Sequence, residues 1–442
     1  MPAVLNKVDL VTELGRRGAM TSVELQKHFG VSQPKISRLL ASLEDTLIFM
    51  GAARSSRYAL AEPIGNHPAQ QPIFLIDAQG LPHRLGTLSF LAKSHIHIGG
   101  EGVDMLFEPM RDKQLPWFLS GLKAEGFLGR ILAKKLANED IDSNPERWDA
   151  RASLIAALHT QDAPGALLLG NDATKGVVPI IPNREPDAVL DTAALDVAST
   201  LPTGSSAGGE QPKFLAVHES GDALIVKFSP PRNTAYGERW NDLLCAEELA
   251  SRALLEAQID AAHTSIIQTD TRTYLLSRRF DRTRMGGRKH VVSVGAAHQG
   301  FVKEPYRNWS ATCEALCAKG KLSATDAAKA HDLLQFGRLI GNTDMHSGNL
   351  SLYAQGSSLR QILRGQLSLA PVYDMLPMRW RPDHALGLVE YQPFDPDVTL
   401  ARAAIRHAAG HFWALLSTDA RVSQDLRYTA AAMSQSQAFV KT

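Results

Sequence analysis

The sequence is poor in cysteine and has no long apolar run. Only three of its 442 residues are cysteine, and Cys313 and Cys317 have no partnering Cys or His pair nearby, so we expect free thiols rather than disulfides or a zinc site. No stretch approaches the length of a membrane span. Charges at Lys7, Asp9 and Glu13 interrupt the first residues, which therefore lack the apolar core of a secretory leader. These absences predict a cytoplasmic protein without a membrane partner.

Neither sign of charge predominates over the whole chain. The formal net charge is +1, and the composition of 44% hydrophobic and 21% charged residues is typical of globular domains, which argues against general disorder. A chain of 442 residues exceeds one compact core and indicates two or three domains. Residues 1–60, however, hold eight Lys or Arg against five Asp or Glu. This local excess favours an anionic partner for the N-terminal segment.

Residues 1–62 have the pattern of a winged helix-turn-helix domain. Apolar residues at helical spacing predict a first helix, and Thr21 and Glu24 have the spacing of a capping box before a second helix that ends at Gly30. Ser32 then begins a third helix, whose core-facing residues are predicted to be Ile36, Leu39, Leu40 and Leu43. The opposite face carries side chains suited to the major groove of DNA, namely Gln33, Lys35, Ser37 and Arg38.

Two apolar or aromatic runs follow this third helix, and the turn between them carries Arg54 and Arg57. They predict a basic β-wing, and the stretch TSVELQKHFGVSQPKISRLLASL resembles bacterial winged helix-turn-helix regulators. Duplex DNA is therefore the expected partner of residues 1–62. The alternative is a small helical protein-interaction domain with a solvated basic face. The segment 63–72 is rich in proline and polar residues, which predicts a linker.

A run of small residues is the first stretch with chemical character. TGSSAGGEQPKFLAV places Ser206, Gly208 and Gly209 before Lys213, and backbone N–H groups of such loops can approach phosphates closely. The run matches neither of the common glycine-rich phosphate motifs, so an ordinary flexible turn is the alternative. The strand pattern LIVKF then places Lys227 where a kinase has its phosphate-binding lysine. The next predicted helix offers three ion-pair partners for this lysine, with Glu247 preferred over Asp242 and Glu248.

The stretch LLQFGRLIGNTDMHSGNLSLY carries the most chemical information. A helical run precedes Asp344, and Asn349 follows five positions later. In protein kinases such an Asp accepts the proton of the substrate hydroxyl, and the Asn holds Mg²⁺ on the phosphates. Two short strand patterns after Asn349 predict a hairpin that returns Asp374 to its side as a second metal ligand. Taken singly, each residue could cap a turn or a helix, but their joint spacing favours a catalytic site.

These motifs, in this order, resemble the HipA-like serine/threonine kinase family, and the fused N-terminal module is most similar to its YjjJ branch. The runs SAGGEQPK, IVKF and SRRFDR, and NTDMHSGN with VYDM, carry a resemblance that spans residue 73 to the C-terminus. It implies an α+β, two-lobed, protein-kinase-like fold, with an α+β lobe over 73–283 and a mainly helical catalytic lobe over 284–442. It also implies ATP and Mg²⁺ as cofactors and a protein Ser or Thr as the acceptor of the γ-phosphoryl group.

By matching positions, the resemblance assigns ATP contact to Lys227, proton acceptance to Asp344, and Mg²⁺ binding to Asn349 and Asp374. Ser206 aligns with the loop serine that the family can autophosphorylate. The EQP residues that follow in this loop match the family only in part, which weakens the inferred switch. A glycine also replaces the lysine that the family often has before its catalytic asparagine.

Three functions are compatible with these motifs. The first is a HipA-type toxin or regulatory kinase that binds DNA in cis and associates with the nucleoid when DNA-bound. A homodimer is one possible oligomeric state of such a protein. The second is a metal-dependent deoxyribonuclease in which Asp344, Asn349 and Asp374 hold the metal. The third is a transcriptional regulator that only senses nucleotide, and the intact set of Lys227 with these three residues argues against it.

Overall fold

The computed structural model combines helices with four separate β-sheets among the residues that it describes. It describes residues 5–51, 56–108, 115–160, 162–170, 178–199, 211–284, 286–383 and 387–440. None of the described helices is both long enough and apolar enough to cross a bilayer.

The N-terminal segment consists of three helices and a small antiparallel sheet of strand order β1-β3-β2. Its elements are α1 (Lys7–Arg17), β1 (Met20–Thr21), α2 (Ser22–Phe29), α3 (Gln33–Ala41), β2 (Leu47–Met50) and β3 (Arg57–Leu60). Thr21 and Glu24 form the capping box predicted at the start of α2, and Gly30 ends it with φ of +62°, a conformation that glycine adopts without steric cost. The helices enclose a core that includes Leu10, Leu14, Leu25, Ile36 and Leu40.

This segment packs directly on the second part of the chain. Met50 and Ala59 form a small buried cluster with Leu91. The backbone N–H of Gly51 donates a hydrogen bond of 2.6 Å to the Asp104 carboxylate. The N-terminal segment is therefore fixed to the rest of the molecule by apolar and polar contacts.

The second part of the chain contains an antiparallel sheet of order β7-β6-β5-β4-β8. Its elements are β4 (Gln70–Ile76), β5 (Pro82–Leu91), β6 (His95–Gly100), β7 (Val103–Phe107), α4 (Gly126–Lys135), α5 (Ala150–Leu158) and β8 (Leu167–Leu169). The prediction of a linker over 63–72 is wrong in part, because β4 begins at Gln70. Gln71 is buried, and its amide donates to the Pro68 carbonyl at 2.8 Å, so this polar residue is accommodated inside the sheet.

A second five-stranded sheet, of order β12-β13-β11-β10-β9, follows in the chain. Its strands are antiparallel except for the β9–β10 pair. The elements are β9 (Ile180–Ile181), α6 (Asp187–Ser199), β10 (Lys213–His218), β11 (Ala223–Phe228), α7 (Ala235–Glu256), β12 (Thr264–Gln268) and β13 (Thr273–Arg278).

The two five-stranded sheets differ in the apolar clusters to which most of their buried residues belong. The second sheet and α6 form a separate apolar cluster, whereas the β4–β8 sheet belongs to the large core that continues into the C-terminal helices. Helix α7 contributes to the large core, and Ile266 of β12 packs against that core, so the second sheet meets both clusters, and the division into lobes over 73–283 and 284–442 stays a prediction.

The C-terminal part is mainly helical and includes a small antiparallel sheet, β14-β15-β16. Its elements are β14 (Val291–Ser293), α8 (Val294–Phe301), α9 (Trp309–Ala318), α10 (Ala324–Leu339), β15 (Ser351–Ala354), α11 (Leu359–Leu363), β16 (Leu367–Leu369), α12 (Ala403–Thr418), α13 (Gln424–Ser434) and α14 (Gln437–Val440). Large side chains fill this core, among them Trp309, Phe336, Phe412 and Trp413. Phe336 belongs to α10, so this packing anchors in the core the helix that leads to Asp344.

Candidate active site

Lys227 lies at the centre of a buried ionic group. It sits on β11, an interior strand, and its Nζ is 2.7 and 2.8 Å from the two carboxylate oxygens of Glu247 on α7. The same Nζ contacts the carboxylate of Asp374. Of the three partners considered from the sequence, Glu247 is the one that contacts Lys227, whereas Asp242 accepts from Ser423 and Glu248 pairs with Arg421. We call Lys227, Glu247 and Asp374 the lysine cluster.

Burial opposes every charge in the lysine cluster, and pairing decides which groups remain ionised. Burial alone would raise the pKa of Asp374, but the charges of Lys227 and Lys213 outweigh it, so this pKa is below its ordinary value. Burial would lower the pKa of Lys227, but Asp374 and Glu247 raise it overall. For Glu247 burial dominates over the attraction of Lys227 and raises the pKa. One ammonium therefore contacts two carboxyl groups directly, and the charge of Lys213 acts on both of them.

The residues from Asp344 to Asn349 form a turn that is closed by backbone and amide groups. After α10 ends, Gly341 adopts φ of +75°. The Asp344 N–H then donates to Asn342 Oδ1 at 3.0 Å, and Asn349 Nδ2 donates to the Asp344 carbonyl at 2.8 Å. These two bonds involve only the backbone of Asp344, and its carboxylate is half-buried. The Asn349 amide is oriented through its nitrogen, and this bond does not involve its Oδ1.

The hairpin of β15 and β16 returns the chain to this turn. Leu352 pairs with Leu369 in its antiparallel register. The Tyr373 hydroxyl then donates to the Gly348 carbonyl at 2.6 Å, and Asn342 Nδ2 donates to the carbonyl of Asp374 at 3.2 Å. The structure thus brings together the turn that carries Asp344 and Asn349 and the segment that carries Asp374.

Asp374 has an unusual backbone. Its φ is +56°, in the left-handed region where a residue with a Cβ is strained by about 1–3 kcal/mol. Such strain persists only where surrounding contacts impose it. Here its carboxylate is held by Lys227 and its carbonyl by Asn342.

The oxygen donors of this site fit a magnesium ion that is carried by phosphates. Asp374 offers a carboxylate with 27% of its side chain exposed, and Asn349 offers an amide oxygen. Mg²⁺ in proteins is commonly bound by one or two carboxylates together with phosphate oxygens and water. Within the described ranges, no group of three or more His, Cys, Asp or Glu side chains is arranged to hold a metal. The donor set therefore suits a Mg²⁺–nucleotide complex better than a metal held by the protein alone.

The run SRRFDR forms a second ionic group, which we call the arginine cluster. Arg279 Nε and Nη2 donate to the two Asp281 oxygens at 3.0 Å each, and Arg282 Nη1 donates to Asp281 Oδ2 at 2.6 Å. Both arginines also donate to Asp162 Oδ1, at 2.7 and 2.9 Å, and the Gly165 N–H donates to Asp281 at 2.8 Å. Burial would raise the pKa of Asp281, but Arg279 and then Arg282 lower it to about 2. This cluster joins the end of β13 to the loop before β8.

The polar face predicted on α3 is largely open to solvent. Gln33, Ser37 and Arg38 are exposed and Lys35 is half-buried. Among the described residues, the side-chain hydrogen bonds of this face are local, such as the 3.3 Å bond from Gln33 Nε2 to Ser37 Oγ. Arg57 is exposed at the start of β3, with Nη1 3.6 Å from the Glu108 carboxylate.

Several residues named from the sequence are not placed by the structure. Arg54, Ser206, Gly208 and Gly209 lie outside the described residues. Lys213 is described: it begins β10 and stands opposite Lys227 in the antiparallel register.

Sequence reasoning missed Asn342 and Tyr373, which connect the two halves of the site. Both are adjacent to residues that were singled out, and Asn342 is part of the GNTDMHSGN run. Nothing in the local pattern showed, however, that a side chain before Asp344 would reach the backbone of residue 374, because that contact depends on the return of the hairpin.

Comparison with known proteins adds family resemblances. The family described as “HipA-like C-terminal domain” matches residues 205–437, and “YjjJ-like toxin, middle domain” matches residues 67–178. The chain is 32% identical over 441 residues to “Toxin YjjJ” of Escherichia coli (strain K12), covering 96% of each chain. Among solved structures, it is similar to a chain of the Shewanella oneidensis MR-1 complex of HipA, HipB and operator DNA. That match has a TM-score of 0.51 and 16% identity, and covers 83% of this chain and 96% of the other.

Proposed function

This chain belongs to the HipA-like family, in its branch of YjjJ-like toxins, and on that premise we propose that it is an ATP-dependent protein kinase acting on a Ser or Thr hydroxyl. The expected α+β, HipA-like fold is confirmed by the structural match. The observation that carries the proposal is the linkage of the lysine cluster to the Asp344 turn through Asn342. This linkage supports the proposal, because phosphoryl transfer needs a phosphate-binding lysine, metal ligands and a proton acceptor close together.

In the proposed reaction, Lys227 binds phosphate oxygens of ATP, and Glu247 holds the lysine in position. Asp374 and Asn349 Oδ1 are the ligands for Mg²⁺, whose chemistry when bound is to neutralise charge on the phosphates. The Asp344 carboxylate orients the acceptor hydroxyl and takes its proton. The bond from the γ-phosphorus to the β–γ bridging oxygen breaks, a bond to the Ser or Thr oxygen forms, and ADP leaves.

We further propose that Ser206 is phosphorylated by the protein itself. It belongs to the run of small residues before Lys213 in the sequence, and a phosphate dianion there would disturb nucleotide binding by charge repulsion. Mass spectrometry of protein incubated with ATP should find phosphate on the peptide that contains Ser206. Phosphate found only elsewhere in an active preparation would remove Ser206 from the mechanism.

Residues 1–62 are proposed to be a winged helix-turn-helix that binds duplex DNA. The support is the exposed polar face of α3 and the exposed Arg57. Lys35, Arg38, Arg54 and Arg57 would replace counterions on the DNA phosphates, so affinity should fall as salt rises. In the full chain, joint Arg38→Glu and Arg57→Glu changes should abolish binding that the wild type shows at low salt. A wild-type chain that binds no duplex at low salt would contradict the proposal.

The test of the kinase proposal uses two parallel incubations of the purified protein. With γ-labelled ATP and Mg²⁺, label should appear on protein. With plasmid DNA, Mg²⁺ and no ATP, the plasmid should remain intact. Cleavage of the plasmid without label transfer would favour a deoxyribonuclease that uses Asp344, Asn349 and Asp374.

A further inference from the structure

Asn342 occupies a special place between the two segments of the candidate site. It directly follows the glycine after α10, and its own N–H donates to the Gly337 carbonyl at 2.8 Å, so its backbone is anchored to the helix. Only 4% of the residue is exposed. Its side chain is therefore held on a rigid support and away from solvent.

Both ends of the Asn342 amide are used, and each serves a different segment. Oδ1 accepts the Asp344 N–H at 3.0 Å, and Nδ2 donates to the carbonyl of Asp374 at 3.2 Å. The first bond fixes the start of the Asp344 turn. The second holds the residue whose φ is +56° and whose carboxylate is the expected metal ligand.

From this geometry we infer that Asn342 is a positioning residue that keeps Asp344 and Asp374 in a fixed position relative to each other. The inference rests on the proposed kinase function and deepens it. Neither contact touches the reacting groups, because both bonds end on backbone atoms. Asn342 acts through the conformations of the two aspartates: its oxygen governs the placement of Asp344, and its nitrogen governs the placement of Asp374.

The two bonds can be separated by substitution. Asn342→Asp keeps an acceptor for the Asp344 N–H but loses the donor to the Asp374 carbonyl, whereas Asn342→Ala loses both. Asn241→Ala is the matched control, because Asn241 is a similarly buried amide that donates to the Arg421 carbonyl at 2.8 Å and accepts from Thr273. Within the described part of the chain, the side chain of Asn241 makes no hydrogen bond to Lys227, Asp344, Asn349 or Asp374.

The experiment makes three measurements on the full-length protein. The first is hydrogen exchange of peptides covering 372–378 without nucleotide. The others are the Mg²⁺ concentration for half-maximal ATP binding and the rate of phosphoryl transfer at saturating Mg²⁺. Both Asn342 variants should exchange faster in this segment and need ~10-fold or more Mg²⁺, as for other residues that orient metal ligands. Asn342→Ala should also lose ~10²-fold in transfer rate, because a small displacement of a reacting group has that effect. Asn342→Asp should retain more of that rate than Asn342→Ala.

The outcomes separate the two claims. If the wild type transfers phosphate but the Asn342 variants match it in exchange and Mg²⁺ requirement, the positioning role is wrong and the kinase stands. Equal changes in Asn241→Ala would also overturn the role, since they would reflect general loosening. A wild-type protein that neither binds ATP with Mg²⁺ nor transfers phosphate would overturn the kinase proposal, and the role of Asn342 with it.

Discussion

The lysine cluster and the arginine cluster are both assembled from short sequence motifs, yet they differ in how fully their charges are satisfied. In the arginine cluster, Asp281 accepts hydrogen bonds from two guanidinium groups and from a backbone N–H. In the lysine cluster, one ammonium is shared by Glu247 and Asp374, and Asp374 has 27% of its side chain exposed. Among the described residues, the Asp374 carboxylate has Lys227 as its one hydrogen-bond partner.

This difference indicates different roles. A saturated group of buried charges gains nothing from another ion, so it serves to hold segments together. The Asp374 carboxylate shares its directly bonded ammonium with Glu247 and is partly exposed, so it can accept a cation and the phosphates that accompany it. Saturation therefore separates the structural motif SRRFDR from the catalytic candidates more clearly than burial does, since Arg279 and Lys227 are similarly buried.

The largest predicted effect comes from opening the arginine cluster. Arg279→Met should lower the free energy of unfolding by about 3–5 kcal/mol, because Asp281 would be left buried with part of its pairing lost. The control is Arg278→Met at the adjacent position. The Arg278 side chain is 45% exposed and pairs with Asp222, and this ion pair should contribute at most about 1 kcal/mol to the free energy of unfolding. Denaturant unfolding of both variants measures this, and equal losses would contradict the distinction.

The next predicted effect is the loss of folding stability in acid caused by a histidine near the arginine cluster. His290 is buried, and burial, offset in part by the Phe118 backbone, lowers its pKa to about 4. Between about pH 4 and about pH 6.5 the His290 side chain is neutral in the folded protein but protonated in the unfolded chain. The free energy of unfolding therefore falls as the pH drops from about 6.5 to about 4, by about 3 kcal/mol in total. Asp374 behaves differently. Its pKa is lowered, so its contribution is present above the unfolded value of about 3.9 and is lost only at lower pH.

His290→Leu should therefore flatten the dependence of unfolding free energy on pH between 6.5 and 4, whereas His407→Gln, at an exposed site, should leave it unchanged. Unfolding curves at pH 7, 5.5 and 4.5 are sufficient. An unchanged slope in His290→Leu would show that other groups cause the acid sensitivity.

A smaller change sharpens the comparison within the lysine cluster. Glu247→Gln should reduce phosphoryl transfer by about 10²-fold through displacement of Lys227, with less effect on folding because Asp374 still pairs with the lysine. Glu248→Gln, one position along α7, removes a partner of Arg421 instead and should change transfer by less than about twofold. Steady-state transfer rates of the two variants decide, and similar rates would place Glu247 outside the site.

Local features of the fold could be predicted from the sequence because short-range chemistry determines them. The capping box of Thr21 and Glu24 and the turn at Gly30 involve residues within one helical turn. The spacing of Asp344 and Asn349 likewise fixes a contact inside a single loop.

Features that depend on distant partners could not be predicted in the same way. Gln71 lies inside a strand because it pairs with β5 and its amide donates to the Pro68 carbonyl. The local composition around it, however, is that of a linker. The apolar clusters that the two sheets of 73–283 join depend on which helices cover each sheet. Asn342 also escaped notice, since its second bond is to residue 374, 32 positions away.

The most direct test of the kinase compares Asp344→Asn with Asp374→Asn in one set of preparations. Both backbone bonds of the Asp344 turn remain available in Asp344→Asn, so ATP binding with Mg²⁺ should persist while transfer falls by about two orders of magnitude or more. Asp374→Asn should weaken ATP binding with Mg²⁺ as well as transfer. DNA cleavage that requires Mg²⁺ but no ATP, and is lost in both variants, would contradict the kinase and support a deoxyribonuclease.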